Sequence, residues 1–189
     1  MSVVTKTGDS GETGRFGGGR VPKYDCSVAA NGDVDELNSA IGLLLARPDI
    51  AEGDAQDLKS VQDACFVIGA ELATTQEGSK EAQASIPRVV DGDILKLEAR
   101  ISEIEAALTP QKHFILPGGS PRAAMAFWVR TIARRAERAV SALARERELN
   151  PSVLKYLNRL SDYFYVLARY FNQLDGAPEV EWLGREGKA

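Results

Sequence analysis

Histidine and cysteine are scarce in this chain of 189 residues: His113 stands alone, and Cys26 and Cys65 are the only thiols. A single imidazole excludes a multi-histidine metal centre. Two cysteines allow one bridge at most. Cys65 falls in an apolar helical seam and reads as a buried thiol, so a reducing compartment is expected. No apolar stretch is long enough to span a bilayer, and the polar, glycine-rich start lacks the apolar run of a signal peptide. A broad basic surface is also missing. The formal net charge of -4 argues against a general nucleic-acid or membrane-surface binder, but leaves room for a local basic pocket. Alternating strand patterns are lacking: Val3-Val4 and Glu179–Trp182 are extended candidates too short to carry a sheet. The length predicts one ordinary domain over 1-189, and these absences a soluble, cytoplasmic protein.

What is present is helical periodicity. Five segments repeat apolar residues at alternating steps of three and four, the spacing that packed helices interlock with. Val34, Leu37, Ile41 and Leu44 mark the first, from near Ser27 to before Pro48. Leu58, Val61, Cys65, Ile68 and Leu72 mark the second, and Ile94, Leu97, Ile101, Ile104 and Leu108 the third, closed by Pro110. The fourth is predicted over Ser120–Arg147, with Ser120 as N-cap, Pro121 at the first position, and Met125, Val129, Ile132, Ala136, Val140 and Leu143 as its seam. The last opens on Asn150-Pro151 and carries Val153, Leu157, Leu160, Phe164, Leu167, Phe171 and Leu174. The fold predicted is all-α, a five-helix up-down bundle over 24-175 with a four-helix-bundle core, followed by a tail over 176-189. The polar link from about Gln76 to Val90 reads as a mobile loop or a lid. Gly32, inside the first helix, costs about 1 kcal/mol against alanine, which suggests close approach of a neighbour or ligand, or a kink.

Several polar residues are not explained by packing. Arg130, Arg134 and Arg138 lie one turn apart on a common helix face, flanked by Arg135 and Glu137. Neighbouring like charges at this spacing repel by a few tenths of a kcal/mol, unless carboxylates or a polyanion sit opposite. A solvated face with scattered salt bridges is the alternative. Residues 1-23 have no sustained period and read as a flexible loop, rich in glycine, threonine and basic side chains. Such a loop suits an anion, because glycines let N–H groups converge on it; a disordered tail is the plainer reading. It is not a P-loop, lacking Gly-Lys-Ser/Thr and a preceding apolar strand. Asp35 lies off the first seam, where it can pair with an arginine, while Asp33 and Glu36 also suit the helix dipole. Asn158, Arg159, Ser161 and Asp162 interrupt the apolar surface of the last helix. Phe114-Ile115-Leu116-Pro117-Gly118-Gly119 either plugs the core or closes a groove, with Phe114 over a flat hydrophobic ligand.

Taken together these segments resemble the PduO-type ATP:cob(I)alamin adenosyltransferases over nearly the full chain. The resemblance is carried by Thr5-Lys6-Thr7-Gly8-Asp9-Ser10-Gly11-Glu12-Thr13, then Phe16-Gly17-Gly18-Gly19-Arg20 with Lys23, and Gly32-Asp33-Val34-Asp35-Glu36-Leu37-Asn38-Ser39. It continues through Phe114 to Gly119, Arg134-Arg135-Ala136-Glu137-Arg138, and Tyr156-Leu157-Asn158-Arg159-Leu160-Ser161-Asp162. Each alone is a modest signal, but the six in this order are specific.

The resemblance implies a ferritin-like bundle that assembles as a homotrimer with active sites at subunit interfaces. It implies transfer of the 5'-deoxyadenosyl group of ATP to cob(I)alamin, with ATP and cobalamin as substrates, Mg2+ as cofactor and K+ as an optional further ion. Thr5, Lys6, Thr7, Gly8, Asp9, Gly11, Thr13, Arg20, Lys23, Arg134, Arg135, Glu137 and Asn158 match ATP-binding positions, and Glu137 the magnesium position. Arg130 and Asp35 match a salt-bridged pair between subunits near the corrin, and Phe114 the aromatic below the cobalt. Those three are the catalytic and cobalamin-binding candidates. A reductase and an adenosylcobalamin-dependent acceptor enzyme are the implied partners, with no nucleic acid and no membrane. Gly32-Asp33 departs from the commoner Gly-Thr, and His113 beside Phe114 either approaches the cobalt or faces solvent. Trp182 is expected to pack on a neighbour. A bundle whose arginines only join subunits, and a nucleic-acid-binding module, are the competing readings. The missing Glu-x-x-His metal ligands speak against a di-iron version of the former.

Overall fold

A computed structural model describes residues 4–74 and 84–184. Among them five long helices carry the fold: α1 (Cys26–Leu45), α2 (Glu52–Ala73), α3 (Asp91–Ala107), α4 (Pro121–Leu143) and α5 (Pro151–Leu174). The helix starts have local chemical causes. The Asp25 and Asn150 side chains accept hydrogen bonds from the N–H groups of Ser27 at 2.9 Å and Ser152 at 3.1 Å. The Ser120 hydroxyl accepts from the Ala123 N–H, and Pro121 and Pro151 fill first positions, where no N–H is needed. α4 is shorter than the expected Ser120–Arg147. After Leu143 the chain turns, and Arg147 donates to the Leu72 and Thr74 carbonyls at the end of α2, which have no helical partner of their own.

α4 packs on both α1 and α5, α2 lies against α1, and α3 against α5. The apolar seams meet in this interior: Leu37, Ile41, Val129, Leu157, Leu160 and Phe164 are fully buried. Each contributes about 1.5–3 kcal/mol relative to exposure. Cys26 and Cys65 are both free thiols, and burial pushes the Cys65 thiol up to about 12. None of the described helices is long and apolar enough to cross a membrane.

Two short pairings were not expected from the sequence. β1 (Glu12–Gly14) and β2 (Arg20–Pro22) form an antiparallel hairpin inside the N-terminal segment that periodicity marks only as a loop. Its connection runs through Gly17, Gly18 and Gly19, all at positive φ, a region that side chains disfavour. β3 (Phe114–Ile115) pairs antiparallel with β4 (Glu181–Trp182), so Trp182 sits opposite Phe114 of its own chain. The expected loop or lid from Gln76 to Val90 lies partly outside the described residues. Gly32 faces open space within this chain, so no neighbour of its own makes the close approach that its position suggested.

Candidate active site

The N-terminal segment is held in place by side chains that recur in its sequence. Arg15 donates to Asp25 at 3.1 Å and to the Ser27 hydroxyl at 2.9 Å, fixing the segment to the start of α1. Phe16 N–H donates to the Ala73 carbonyl at 3.1 Å and fixes it to the end of α2. Arg20 reaches back across the hairpin and donates to the carbonyls of Thr7 at 2.5 Å and Glu12 at 3.2 Å. The Lys23 N–H donates to the Gly11 carbonyl at 2.8 Å, and its ammonium lies over Gly8. Gly11 needs its freedom here, with φ at +83°. Lys6 holds φ at 58°, a costly left-handed conformation for a residue with a side chain, between Thr5 and Thr7, whose hydroxyls are 3.0 Å apart. Asp9 turns back onto the Lys6 carbonyl, and Thr13 sits in β1 opposite Val21. The predicted glycine–threonine–lysine set is therefore gathered in one exposed, locally strained segment.

A second group lies between α4 and α5. Asn158 Nδ2 donates to Glu137 Oε1 at 2.9 Å, while its Oδ1 accepts from Arg159 at 2.6 Å. Arg159 in turn donates to Glu98 of α3 at 2.7 Å. With its carbonyl engaged by Arg159, the Asn158 amide must present its NH2 to Glu137. Arg159 thus fixes the orientation of the Asn158 amide, a contact that motif spacing registered only as a break in the apolar surface. Arg130 is half-buried, its guanidinium 5.5 Å from the centre of the Tyr165 ring. Arg134 and Arg138 are exposed, and among the described residues no carboxylate pairs with either. Arg135 differs. It ion-pairs with Asp33 and Glu36 of α1, so the structure turns it away from Glu137 and Asn158 and engages it between helices.

Phe114 occupies a third position. Its side chain is 75% exposed, and with His113, Trp182 and Leu183 it lines a cavity of about 680 Å³. The turn behind it is fixed by Asn172, a buried amide that accepts from Ser120 N–H at 2.9 Å and donates to the Gly118 carbonyl at 3.0 Å. A Cβ on Gly119, which stands at φ +100°, would overlap that amide. This is the glycine whose position demands close approach, and nothing in the local sequence pointed to Asn172.

Asp35 does not meet Arg130. It is exposed and lines a cavity of about 590 Å³ between α1 and α2 with Phe16, Gly32, Asn38 and Phe66. Arg130 instead rests on Tyr165 of α5. Among the described residues no hydrogen bond or ion pair joins the group of Thr5–Lys23 and Asp35 to the group of Arg130, Arg134, Glu137 and Asn158. Nor do the described residues contain a cluster of three or more metal-ligating side chains. Glu137 offers one carboxylate, a donor that would suit a magnesium ion, which needs few protein ligands when a bound phosphate is present.

A helical bundle bearing a glycine–threonine hairpin, together with arginines that have no carboxylate partner among the described residues, suits a phosphate-rich ligand. The Cobalamin adenosyltransferase family matches residues 3–171. A cobalamin adenosyltransferase of Cupriavidus metallidurans is 43% identical over 180 residues, covering 95% of this chain and 93% of that protein. A corrinoid adenosyltransferase of Bacillus subtilis is 41% identical over 186 residues, covering 96% and 92%. Among solved structures, a variant PduO-type ATP:corrinoid adenosyltransferase from Lactobacillus reuteri, complexed with cobalamin and ATP, superposes with a TM-score of 0.89. It is 35% identical and covers 97% of this chain and 100% of its own. The chain belongs to the cobalamin adenosyltransferase family. It is a corrinoid adenosyltransferase, and its fold is the adenosyltransferase bundle.

Proposed function

We propose that this adenosyltransferase works at a site completed by two copies of the chain, one supplying the N-terminal hairpin and Asp35, the next supplying Arg130, Arg134, Glu137 and Asn158. The reaction moves the 5'-deoxyadenosyl group of ATP to cob(I)alamin. Cobalt(I) attacks the 5' carbon with its electron pair, the carbon–oxygen bond breaks, and triphosphate leaves with the bonding electrons. Because cobalt(I) is itself a strong nucleophile, no general base is required. The protein must align the reacting atoms and place positive charge where triphosphate departs. Lys6, Lys23 and Arg134 supply that charge, and the exposed backbone of Thr5–Gly11 wraps the phosphates. Glu137, oriented by Asn158, would hold magnesium, which when bound would supply positive charge to the phosphates. Arg130 pairs with Asp35 of the neighbouring copy beside the corrin, and Phe114 covers the lower face of the cobalt, favouring reduction of cobalt(II). A homotrimer is the assembly this reading uses.

The single observation that supports it is that Asp35 lines the α1–α2 cavity while Arg130 rests on Tyr165 of α5, so that the two lack each other. An anaerobic assay with ATP and chemically reduced cobalamin, following the light-sensitive cobalt–carbon bond, tests the reading together with the mass of the assembly in solution. Product formed by an oligomer is expected. Full activity in a persistent monomer would contradict it.

A further inference from the structure

Phe114 has little packing of its own, so something else must fix where its ring stands. Its strand pairs with β4 over only two residues, and a pairing that short is not stable by itself. The segments leading into both strands instead converge on one side chain. Arg169 of α5 is buried, and its Nε and Nη2 donate to the two carboxylate oxygens of Glu179 at 2.8 and 3.1 Å. The same Nη2 donates to the Thr109 carbonyl at 2.9 Å. Glu179 stands just ahead of β4, and Thr109 opens the segment leading to β3. The Leu116 N–H donates to the Val180 carbonyl at 2.8 Å, so whatever holds Glu179 also holds the strand edge after Phe114. The Thr109 end has a second tie, since Gln173 donates to the Ala107 carbonyl at 2.9 Å and accepts from the Thr109 N–H. Between the Ala177 N–H, which donates to the Asn172 carbonyl, and β4 itself, Glu179 is the side-chain anchor of the C-terminal segment.

We propose that Arg169 and Glu179 form a positioning pair that holds the β3–β4 pairing in register and thereby fixes Phe114 over the cobalt. This rests on the reading of Phe114 given under Proposed function. A planar guanidinium suits the task because its fork binds both carboxylate oxygens and still has a donor for the carbonyl, a combination lysine cannot supply. Loosening the pair leaves the segment before β3 attached near Thr109 through Gln173 but lets β4, and with it the Phe114 ring, drift. Water then reaches the lower face of the cobalt. The nucleotide groups on α4 and the N-terminal hairpin are untouched by this movement.

The test uses the full chain with ATP and cob(II)alamin and compares Arg169→Lys, Glu179→Gln and Phe114→Ala. Electron paramagnetic resonance reads the fraction of four-coordinate cobalt(II), and turnover is measured from cob(II)alamin with a reductant and from pre-reduced cob(I)alamin. Glu179→Gln is the gentler change and guards against loss of folding, checked by melting temperature. The expected result is a fall of about tenfold in turnover from cob(II)alamin for both pair variants, from the loss of a charge-assisted bond. The four-coordinate fraction should drop toward that of Phe114→Ala, with the ATP KM and the rate from cob(I)alamin nearly unchanged. A purely structural pair would leave the coordination unchanged in a folded variant, and that result overturns the proposal. If Phe114→Ala itself keeps the four-coordinate cobalt, the reading of Phe114 fails and the proposal falls with it. If only Phe114→Ala loses it, the pair alone is wrong.

Discussion

The Arg130 guanidinium rests 5.5 Å from the centre of the Tyr165 ring, and Tyr165 donates from its hydroxyl to Gln111 at 2.6 Å. Gln111 donates in turn to the carbonyl of His113, the residue before Phe114. One aromatic side chain thus touches the arginine row and the Phe114 segment together. Arg130 finds no carboxylate within its own chain among the described residues.

Arg130→Ala is therefore expected to lower kcat/KM severely while the assembly persists. Removing one member of a desolvated interfacial charge pair costs about 2–4 kcal/mol, or roughly a 30- to 1000-fold loss. Steady-state kinetics with sedimentation on the same sample checks it. Dissociation into monomers would make Arg130 an assembly residue instead.

Arg159 is expected to act on ATP through Asn158. Arg159→Ala releases the amide that Arg159 and Glu137 now hold between them. The loss of one hydrogen bond, about 1 kcal/mol, predicts a severalfold rise in the ATP KM with little change in kcat. Asn158→Ala should raise it further. A KM unchanged in Arg159→Ala, with Asn158→Ala strongly impaired, would show that the amide needs no support.

Asp175 governs stability on the acid side. Arg122 is buried, donates to both Asp175 oxygens at 2.9 and 2.6 Å, and lies over the Phe171 ring. The Arg122 hydrogen bond, helped by Ser120, holds the Asp175 carboxyl below the usual carboxylate range. A lowered folded value stabilises the protein above the unfolded carboxylate value of about 3.9, and that stability is lost as pH falls through the folded value. Asp175→Asn should cost about 2 kcal/mol at pH 7, less than for a fully buried pair because Asp175 is partly exposed. The cost should shrink in acid. Urea unfolding at pH 7 and near pH 3 measures both.

Asp54 behaves in the opposite sense. Burial raises its carboxyl, although Arg100 donates to it at 3.0 Å. A carboxylate raised in the folded state contributes most below its unfolded value and loses that contribution as pH rises. Arg100 also keeps Asp57 and Glu103. Asp54→Asn should consequently change stability at pH 7 by less than about 1 kcal/mol. A loss as large as that of Asp175→Asn would contradict this account of the Arg100 cluster.

The bundle was legible in the sequence because its signals are local. Ser120-Pro121 and Asn150-Pro151 set helix starts through the side chain of the cap itself, and the seams around Leu37, Val129 and Leu160 report burial by spacing. The Phe114–Trp182 pairing was not legible, since two-residue strands far apart in the chain leave no period. Asn172 reads as an ordinary helix residue until Gly119 is placed against it. Arg135 shares its neighbourhood with Arg134, and only its ion pairs with Asp33 and Glu36 separate their roles. Spacing put Asp35 off the core seam but could not tell which helix it would face; the structure turns it toward the α1–α2 cavity.

Mixing two damaged subunits tests the shared site most directly. One variant, Lys6→Ala with Asp35→Asn, lacks the hairpin side, and the other, Arg130→Ala with Arg134→Ala, lacks the helix side. Each alone should be nearly inactive. Co-expressed at equal levels, they should regain roughly a quarter of the wild-type activity, because a cyclic assembly then contains interfaces built from two intact halves. Mixed oligomers, isolated by two different tags, that stay as inactive as either parent would contradict a site divided between neighbouring copies.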